Sequence, residues 1–144
     1  MNKIVLITGA TAGIGKACAI KFAAEKFDVI ITGRRNERLL QLKTKLEKEY
    51  AVEVLTLCFD VQDKHAVANA ISNLPQRWQK IDTLINNAGL ALGRDSFEDA
   101  DMNDWETMLN SNVHGLLYVS KAVLPFMLAQ KKGHIVNMGS VAGK

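Results

Sequence analysis

Apolar positions along the chain fall into two alternating patterns. Short, largely apolar runs occupy Ile4–Ile7, Val29–Ile31, Val52–Phe59, Ile81–Ile85 and His134–Met138. Runs this short, rich in β-branched residues, predict strands. Between them the apolar residues recur at helical spacing. Ile14, Ala17, Cys18 and Phe22 predict one helix face, and Leu39, Leu42 and Leu46 a second. Val67, Ile71, Leu74 and Trp78 mark a third helix. A loop spans 90–100. A long helix then starts near Asp101 or Asp104, either of which suits an N-cap. Its stripe is Trp105, Met108, Leu109, Asn112, Val113, Leu116 and Leu117. Pro125 is expected to kink this helix or mark its final turns, and Gly133 to end it. Strands alternating strictly with helices predict βαβ units and a parallel sheet. The strands are apolar on both faces, as a sheet covered by helices on both sides requires. No linker, repeat or domain boundary is visible.

Composition narrows the class. The 144 residues are 48% hydrophobic and 23% charged, the balance of a globular domain. Eighteen Lys and Arg against fifteen Asp and Glu give a net charge of +3, with no basic run. That argues against nucleic acid as a partner, which needs clustered positive charge. No apolar stretch approaches the roughly 20 residues of a membrane span. The apolar run after Met1-Asn2-Lys3 is too short for a signal peptide. The two cysteines, Cys18 and Cys58, form no disulfide framework, and Cys58 is expected to be a buried thiol in its apolar run. The chain therefore reads as reduced and cytoplasmic. Its histidines and cysteines lack ligand spacing, so no metal site is expected.

The unusual residues all follow a strand's carboxyl end, where open α/β sheets bind ligands. The first turn is Thr8-Gly9-Ala10-Thr11-Ala12-Gly13-Ile14-Gly15. Its glycines allow close approach of a pyrophosphate, and the next helix offers free N–H groups and its positive end. The spacing G-x3-G-x-G differs from the commoner dinucleotide fingerprint, and the lysine of a P-loop is absent. Glycines here also suit a tight strand–helix turn. After the second strand, an NAD site usually places a carboxylate for the ribose. Arg34 and Arg35 stand there instead, and guanidinium groups match a 2′-phosphate. The expected cofactor is NADP(H). Asp28 lies at the wrong end of its strand to serve the ribose.

Three further residues stand out. Asp60 suits either the adenine amino group or the N-cap of the third helix, a cap Asp63 could also supply. Asn112 falls on an apolar stripe, where a buried amide is costly unless satisfied. It either ties to nearby backbone or reaches the crevice to hold a water. Ser140 has no histidine placed to activate it, so it reads as a hydrogen-bond donor to a substrate oxygen rather than a nucleophile.

These motifs together resemble the short-chain dehydrogenase/reductase family. The residues that carry the likeness are Thr8-Gly9 through Ile14-Gly15, Asp60-Val61, Asn86-Asn87-Ala88-Gly89, Asn112 before Gly115, and Gly139-Ser140. The strings at Thr32–Leu39, Asn86–Gly93 and Asp104–Met108 are similar to the NADP-dependent 3-hydroxy acid dehydrogenase (serine dehydrogenase) group. The resemblance implies an α/β fold, a Rossmann-type doubly wound parallel sheet with five strands present and later ones missing. It implies that Gly9, Ala10, Thr11, Ala12, Gly13, Ile14 and Gly15 cradle a pyrophosphate. Arg34 and Arg35 would take the 2′-phosphate, and Asp60 and Val61 the adenine. Asn87, Ala88 and Gly89 would line the ribose side. Ser140 would polarise the carbonyl or hydroxyl of a small-molecule substrate, and Asn112 would hold the water of a proton relay. A homodimer or homotetramer is implied for the full-length protein.

The family's Tyr-x-x-x-Lys motif is missing. Tyr50 and Tyr118 are followed four residues later by Val54 and Ala122. The chain, 1–144, is thus expected to be an NADP-binding domain that stops before that motif. It is a fragment expected to be inactive, because positioned proton transfer contributes typically ~10²–10⁴-fold. The alternative is a non-catalytic NADP(H)-binding module or regulatory subunit.

Overall fold

The five apolar runs are strands in a computed structural model that describes residues 1–143. They are β1 (Ile4–Ile7), β2 (Asp28–Gly33), β3 (Val54–Cys58), β4 (Ile81–Asn86) and β5 (His134–Asn137). All neighbours pair in parallel, in the order β3-β2-β1-β4-β5. The chain steps outward from β1 to β2 and β3, then crosses back to place β4 on the other side of β1. Strand order therefore reverses at β1 and β4, and a crevice opens beyond their carboxyl ends.

The helices are α1 (Gly13–Ala24), α2 (Asn36–Tyr50), α3 (Lys64–Ser72), α4 (Met102–Leu109) and α5 (Leu116–Ala129). Adjacent strand residues point to opposite faces, so the sheet builds two cores. Leu6, Ile30 and Leu84 pack with Val67 and Ile71 of α3 and Val119 and Val123 of α5. Val5, Ile7 and Ile31 pack with Ala19 and Ala23 of α1 and with Leu39, Leu42 and Leu46 of α2.

Two helices bury a different face from the one periodicity predicts. In α1 the buried residues are Gly15, Ala19 and Ala23, while Ile14 is 62% exposed. Small side chains let this helix lie close on the sheet. The long helix is interrupted by a π-helical segment, Asn110–Gly115. Its buried line is Ser111, Gly115, Val119, Val123 and Met127, at four-residue steps. Leu109, Val113 and Leu117 of the predicted stripe are exposed, as are Leu124 and Leu128. Gly115 sits against Val61, whose Cβ would lie 2.9 Å from any Cβ added there. Asp101 caps α4 by accepting the Asn103 N–H at 2.8 Å. Pro125 lies in the final turns of α5, which ends at Ala129.

Other boundaries also differ. α3 ends at Ser72, and Pro75 follows. Leu74 and Trp78 are buried, but in the connection to β4, Trp78 within a 3-10 turn. Cys58 is exposed, because β3 is the sheet's edge and Cys58 its last residue; Cys18 is half-buried.

Asp28 anchors the opposite end of the sheet. Its buried carboxylate accepts hydrogen bonds from the Asn2 side chain at 3.1 Å, the Glu53 N–H at 2.8 Å and Arg77 at 2.6 Å. Arg77 also pairs with Glu53 and lies over the Trp78 ring. Breaking a buried ion pair from one side costs about 3–5 kcal/mol. Water reaches the Arg77 side chain, which is 33% exposed, so the lower end applies. Arg77→Ala is expected to lower unfolding free energy by about 3 kcal/mol in urea titration. An unchanged urea midpoint would contradict this role.

Among the described residues, no helix is long and apolar enough to cross a membrane.

Candidate functional site

The site is built where β1 and β4 end. Thr8 is buried, and its Oγ1 accepts the N–H groups of Asn87 at 3.0 Å and Ala88 at 2.9 Å. The Asn87 side chain returns the tie, donating to the carbonyls of Thr8 and Gly9, each at 3.1 Å. The glycine turn after β1 and the segment after β4 are thus one stapled unit.

The glycines of that turn do different work. Gly9 has φ +63°, and a Cβ there would lie 2.9 Å from the Ala88 Cα. A Cβ on Gly15 would strike the Gly9 carbonyl and the Asn87 amide. Both positions are closed by packing. Gly13, at φ +54°, faces open space, with nothing within 4 Å of an added Cβ. The helix that begins there has Ala12 at its N-cap, no side-chain cap and no acidic residue in its first turn. Its unpaired N–H groups and positive end therefore face the opening, a setting that favours an anion.

The opening is a cleft of about 370 Å³. The first turn contributes Gly9, Thr11, Ala12, Gly13 and Ile14 to its walls. The end of β2 contributes Thr32, Gly33, Arg34 and Arg35, and the segment after β3 contributes Phe59, Asp60, Val61 and Gln62. Asn87, Ala88, Gly89 and Leu90 close the side next to β4, together with Ser111. Arg35 donates to Thr11 Oγ1 at 2.8 Å, bridging the second strand end to the glycine turn. Arg34 reaches within 4.0 Å of the Asp60 carboxylate.

Four predicted site residues do not form the wall. Ala10 and Gly15 are buried beneath it, Ala10 donating its N–H to the Thr32 carbonyl at 3.0 Å. Asn112 is exposed rather than set in the core, because the π-helical segment and the Ser111–Gly115 line turn it outward. Its Oδ1 accepts the Leu90 N–H and its Nδ2 donates to the Leu90 carbonyl, both at 2.8 Å. The tie to nearby backbone is the arrangement present. Ser140 is exposed beyond β5, its Oγ accepting the Ala142 N–H at 3.1 Å. Asp63, not Asp60, caps α3, accepting from His65 and Ala66; Asp60 accepts the Gln62 N–H at 3.0 Å.

Sequence reasoning gave no individual site role to Thr32, Gly33, Phe59, Gln62, Leu90 or Ser111, which also line the cleft. It likewise assigned no separate role to Asn86, the last residue of β4. A polar side chain following the apolar pair Leu84-Ile85 at the strand's end was the available signal. Thr32 Oγ1 and Asn86 Oδ1 are buried without a hydrogen-bond partner among the described residues. No group of three or more His, Cys, Asp or Glu side chains suited to a metal occurs among the described residues.

Comparison with known proteins places this geometry. The chain is 48% identical over 140 residues to an NADP-dependent 3-hydroxy acid dehydrogenase, YdfG, of Salmonella typhi, covering 97% of this chain and 55% of that protein. It is 47% identical over 145 aligned positions to sulfoacetaldehyde reductase 2 of Chromohalobacter salexigens, covering 100% of this chain and 57% of that one. The closed form of serine dehydrogenase complexed with NADP+ superimposes with a TM-score of 0.88 at 46% identity, over 97% of this chain and 55% of that structure. The chain thus spans little more than half the length of these relatives. The family profile described as short chain dehydrogenase matches residues 3–144, and the chain belongs to that family.

Proposed function

We propose that residues 1–144 are the NADP(H)-binding part of an oxidoreductase acting on a hydroxyl or carbonyl substrate, with 3-hydroxy acids such as serine as the substrate class. One observation carries the reading: two arginines, and no carboxylate of their own strand end, face a glycine-lined cleft that opens on an uncapped helix. The residues present fit the cofactor. Gly13 leaves room for a pyrophosphate against the first turn of α1, and its N–H groups lack another side-chain partner. Arg34 and Arg35 hold the 2′-phosphate, with Thr11 fixing the Arg35 guanidinium. Asp60 and Val61 bound the adenine pocket. Asn87, Ala88 and Gly89 form the ribose wall.

When bound, the nicotinamide supplies or accepts the hydride. The chain's own residues orient the substrate oxygen and shape the site around it. Ser140 donates a hydrogen bond to the substrate oxygen, stabilising charge that develops there. Asn112 holds the Leu90 backbone in place beside the cleft and keeps a relay water at its remaining polar groups. The family's Tyr-x-x-x-Lys pair, expected beyond residue 144 in the complete protein, provides the proton. Two relatives named for different substrates, a 3-hydroxy acid dehydrogenase and a sulfoacetaldehyde reductase, share the hydroxyl–carbonyl interconversion. The exposed line of Leu109, Val113, Leu117, Leu124 and Leu128 is where a second copy packs in a homodimer or homotetramer.

The test is a turnover assay of the complete protein with NADP+ and a panel of 3-hydroxy acids, followed by nicotinamide absorbance. NADPH production from at least one of them is the expected result. NADPH binding without turnover on any hydroxyl substrate would instead assign a non-catalytic binding module. No binding of either nucleotide would overturn the reading.

A further inference from the structure

β4 and β5 both end in asparagine, and the two residues are in register, Asn86 opposite Asn137. Asn137, on the edge strand β5, is exposed, but packing alone would place an apolar residue at the covered end of β4. Asn86 is nonetheless buried. Its side-chain amide uses both hydrogens: one goes to Ser120 Oγ on α5 at 2.9 Å, the other to Asn137 Oδ1 at 3.0 Å. Its own Oδ1 is left without a partner among the described residues. A buried polar group with an unmade hydrogen bond is an energetic cost that invites a functional explanation.

The position of this chain of contacts supplies one. The Met138 N–H donates to the Asn86 carbonyl at 3.0 Å, extending the β4–β5 ladder one step past Asn137. Beyond that step Gly139 has nothing within 4 Å of an added Cβ among the described residues. Ser140 follows at once. The Asn86 residue therefore grips the segment twice, by backbone and by side chain, immediately before the serine. Ser120 in turn fixes which way the Asn86 amide points.

We infer that Ser120, acting through the Asn86–Asn137 amide pair, is a positioning residue that sets where Ser140 stands relative to the cleft. The inference deepens the proposed function and rests on Ser140 being the group that meets the substrate oxygen. Ser120 itself touches neither substrate nor cofactor. Without its hydroxyl the Asn86 amide loses one acceptor and is free to rotate. Asn137 then loses its donor, and the turn after Met138 is held by backbone alone. A donor misplaced by about 1 Å can cost on the order of 10²-fold in rate.

The experiment compares Ser120→Ala and Ser120→Thr in the complete protein. Threonine keeps the hydroxyl and controls for a general packing effect. Three readouts are taken: kcat, NADPH affinity, and hydrogen exchange at the amides of residues 138–142. Ser120→Ala is expected to lower kcat about 10-fold, a part of the loss that full misplacement brings. NADPH affinity should stay within about 2-fold, and exchange at 138–142 should speed up. Ser120→Thr should restore both kcat and exchange. Unchanged exchange and unchanged kcat in Ser120→Ala would overturn the inference, as would equal losses in the Ala and Thr variants. A parallel Ser140→Ala variant separates the two readings. If it leaves turnover intact, the role of Ser140 fails, while faster exchange in Ser120→Ala still upholds the positioning. If it abolishes turnover while Ser120→Ala changes neither readout, the positioning alone fails.

Discussion

Replacing Arg34 with Asp and Arg35 with Ala is expected to weaken NADPH binding by about 100-fold while changing NADH binding by less than about 3-fold. A hydrogen bond to a charged group contributes about 1.5–3 kcal/mol, so two such contacts to a 2′-phosphate set an upper bound well above 100-fold. Solvent reduces it. The Arg34 side chain is 67% exposed, and exposed charges in water are worth far less than buried ones. The aspartate adds direct repulsion of the phosphate. NADH lacks that phosphate and has nothing to lose at this end of the cleft. Paired titrations of both nucleotides against both proteins read the effect as a change in ratio. Equal weakening of NADPH and NADH would mean that the arginines shape the cleft without reading the phosphate. The Arg35–Thr11 hydrogen bond makes that a genuine alternative outcome, since it ties the second strand end to the glycine turn.

Ser140→Ala in the complete protein is expected to lower kcat by about 10²–10³-fold, the range seen when a donor to a developing oxyanion is removed. NADPH affinity should be unchanged, because Ser140 lies outside the walls of the cleft and its Oγ accepts the Ala142 N–H. Stability should also hold, since the side chain is exposed. A kcat within about 3-fold of the parent, against that expectation, would remove Ser140 from the chemistry. A joint loss of nucleotide affinity would instead show that the turn it occupies forms part of the cofactor site.

Much of this architecture is legible in the amino-acid sequence because strands in a doubly covered sheet are apolar on both faces. All five runs became strands, and the alternation with helices became parallel pairing. Helix faces were less legible, for a consistent physical reason. Periodicity weights large apolar residues, yet α1 meets the sheet through Gly15, Ala19 and Ala23. The long helix likewise begins its buried line with Ser111 and Gly115. Small residues mark close approach, and the larger Ile14, Leu109 and Val113 are left outside. Asn112 was misplaced by the same error, compounded by the π-helical segment, which shifts the helical face within a single turn. Cys58 was read as buried because its run is apolar, but an edge strand's final residue faces water.

The candidate cleft was more legible than the helices, since glycines, paired arginines and the Asn86–Gly89 string lie in unbroken local sequence after strand ends. What escaped were residues made important only by register or crossing. Ser111 reaches the cleft from the long helix, while Thr32, Phe59 and Gln62 flank the predicted residues at the ends of β2 and β3. The contacts among Asn86, Ser120 and Asn137 join residues 34 and 51 positions apart in the chain. No local pattern announces such pairs.

The most direct measurement is a crystal structure of the protein grown with NADP+. The dinucleotide should lie across the carboxyl ends of β1 and β4. Its pyrophosphate should sit against the first turn of α1, with the 2′-phosphate within hydrogen-bonding distance of both Arg34 and Arg35. A nucleotide bound elsewhere, or one whose 2′-phosphate points into solvent away from both arginines, would contradict the assignment of this cleft to NADP(H).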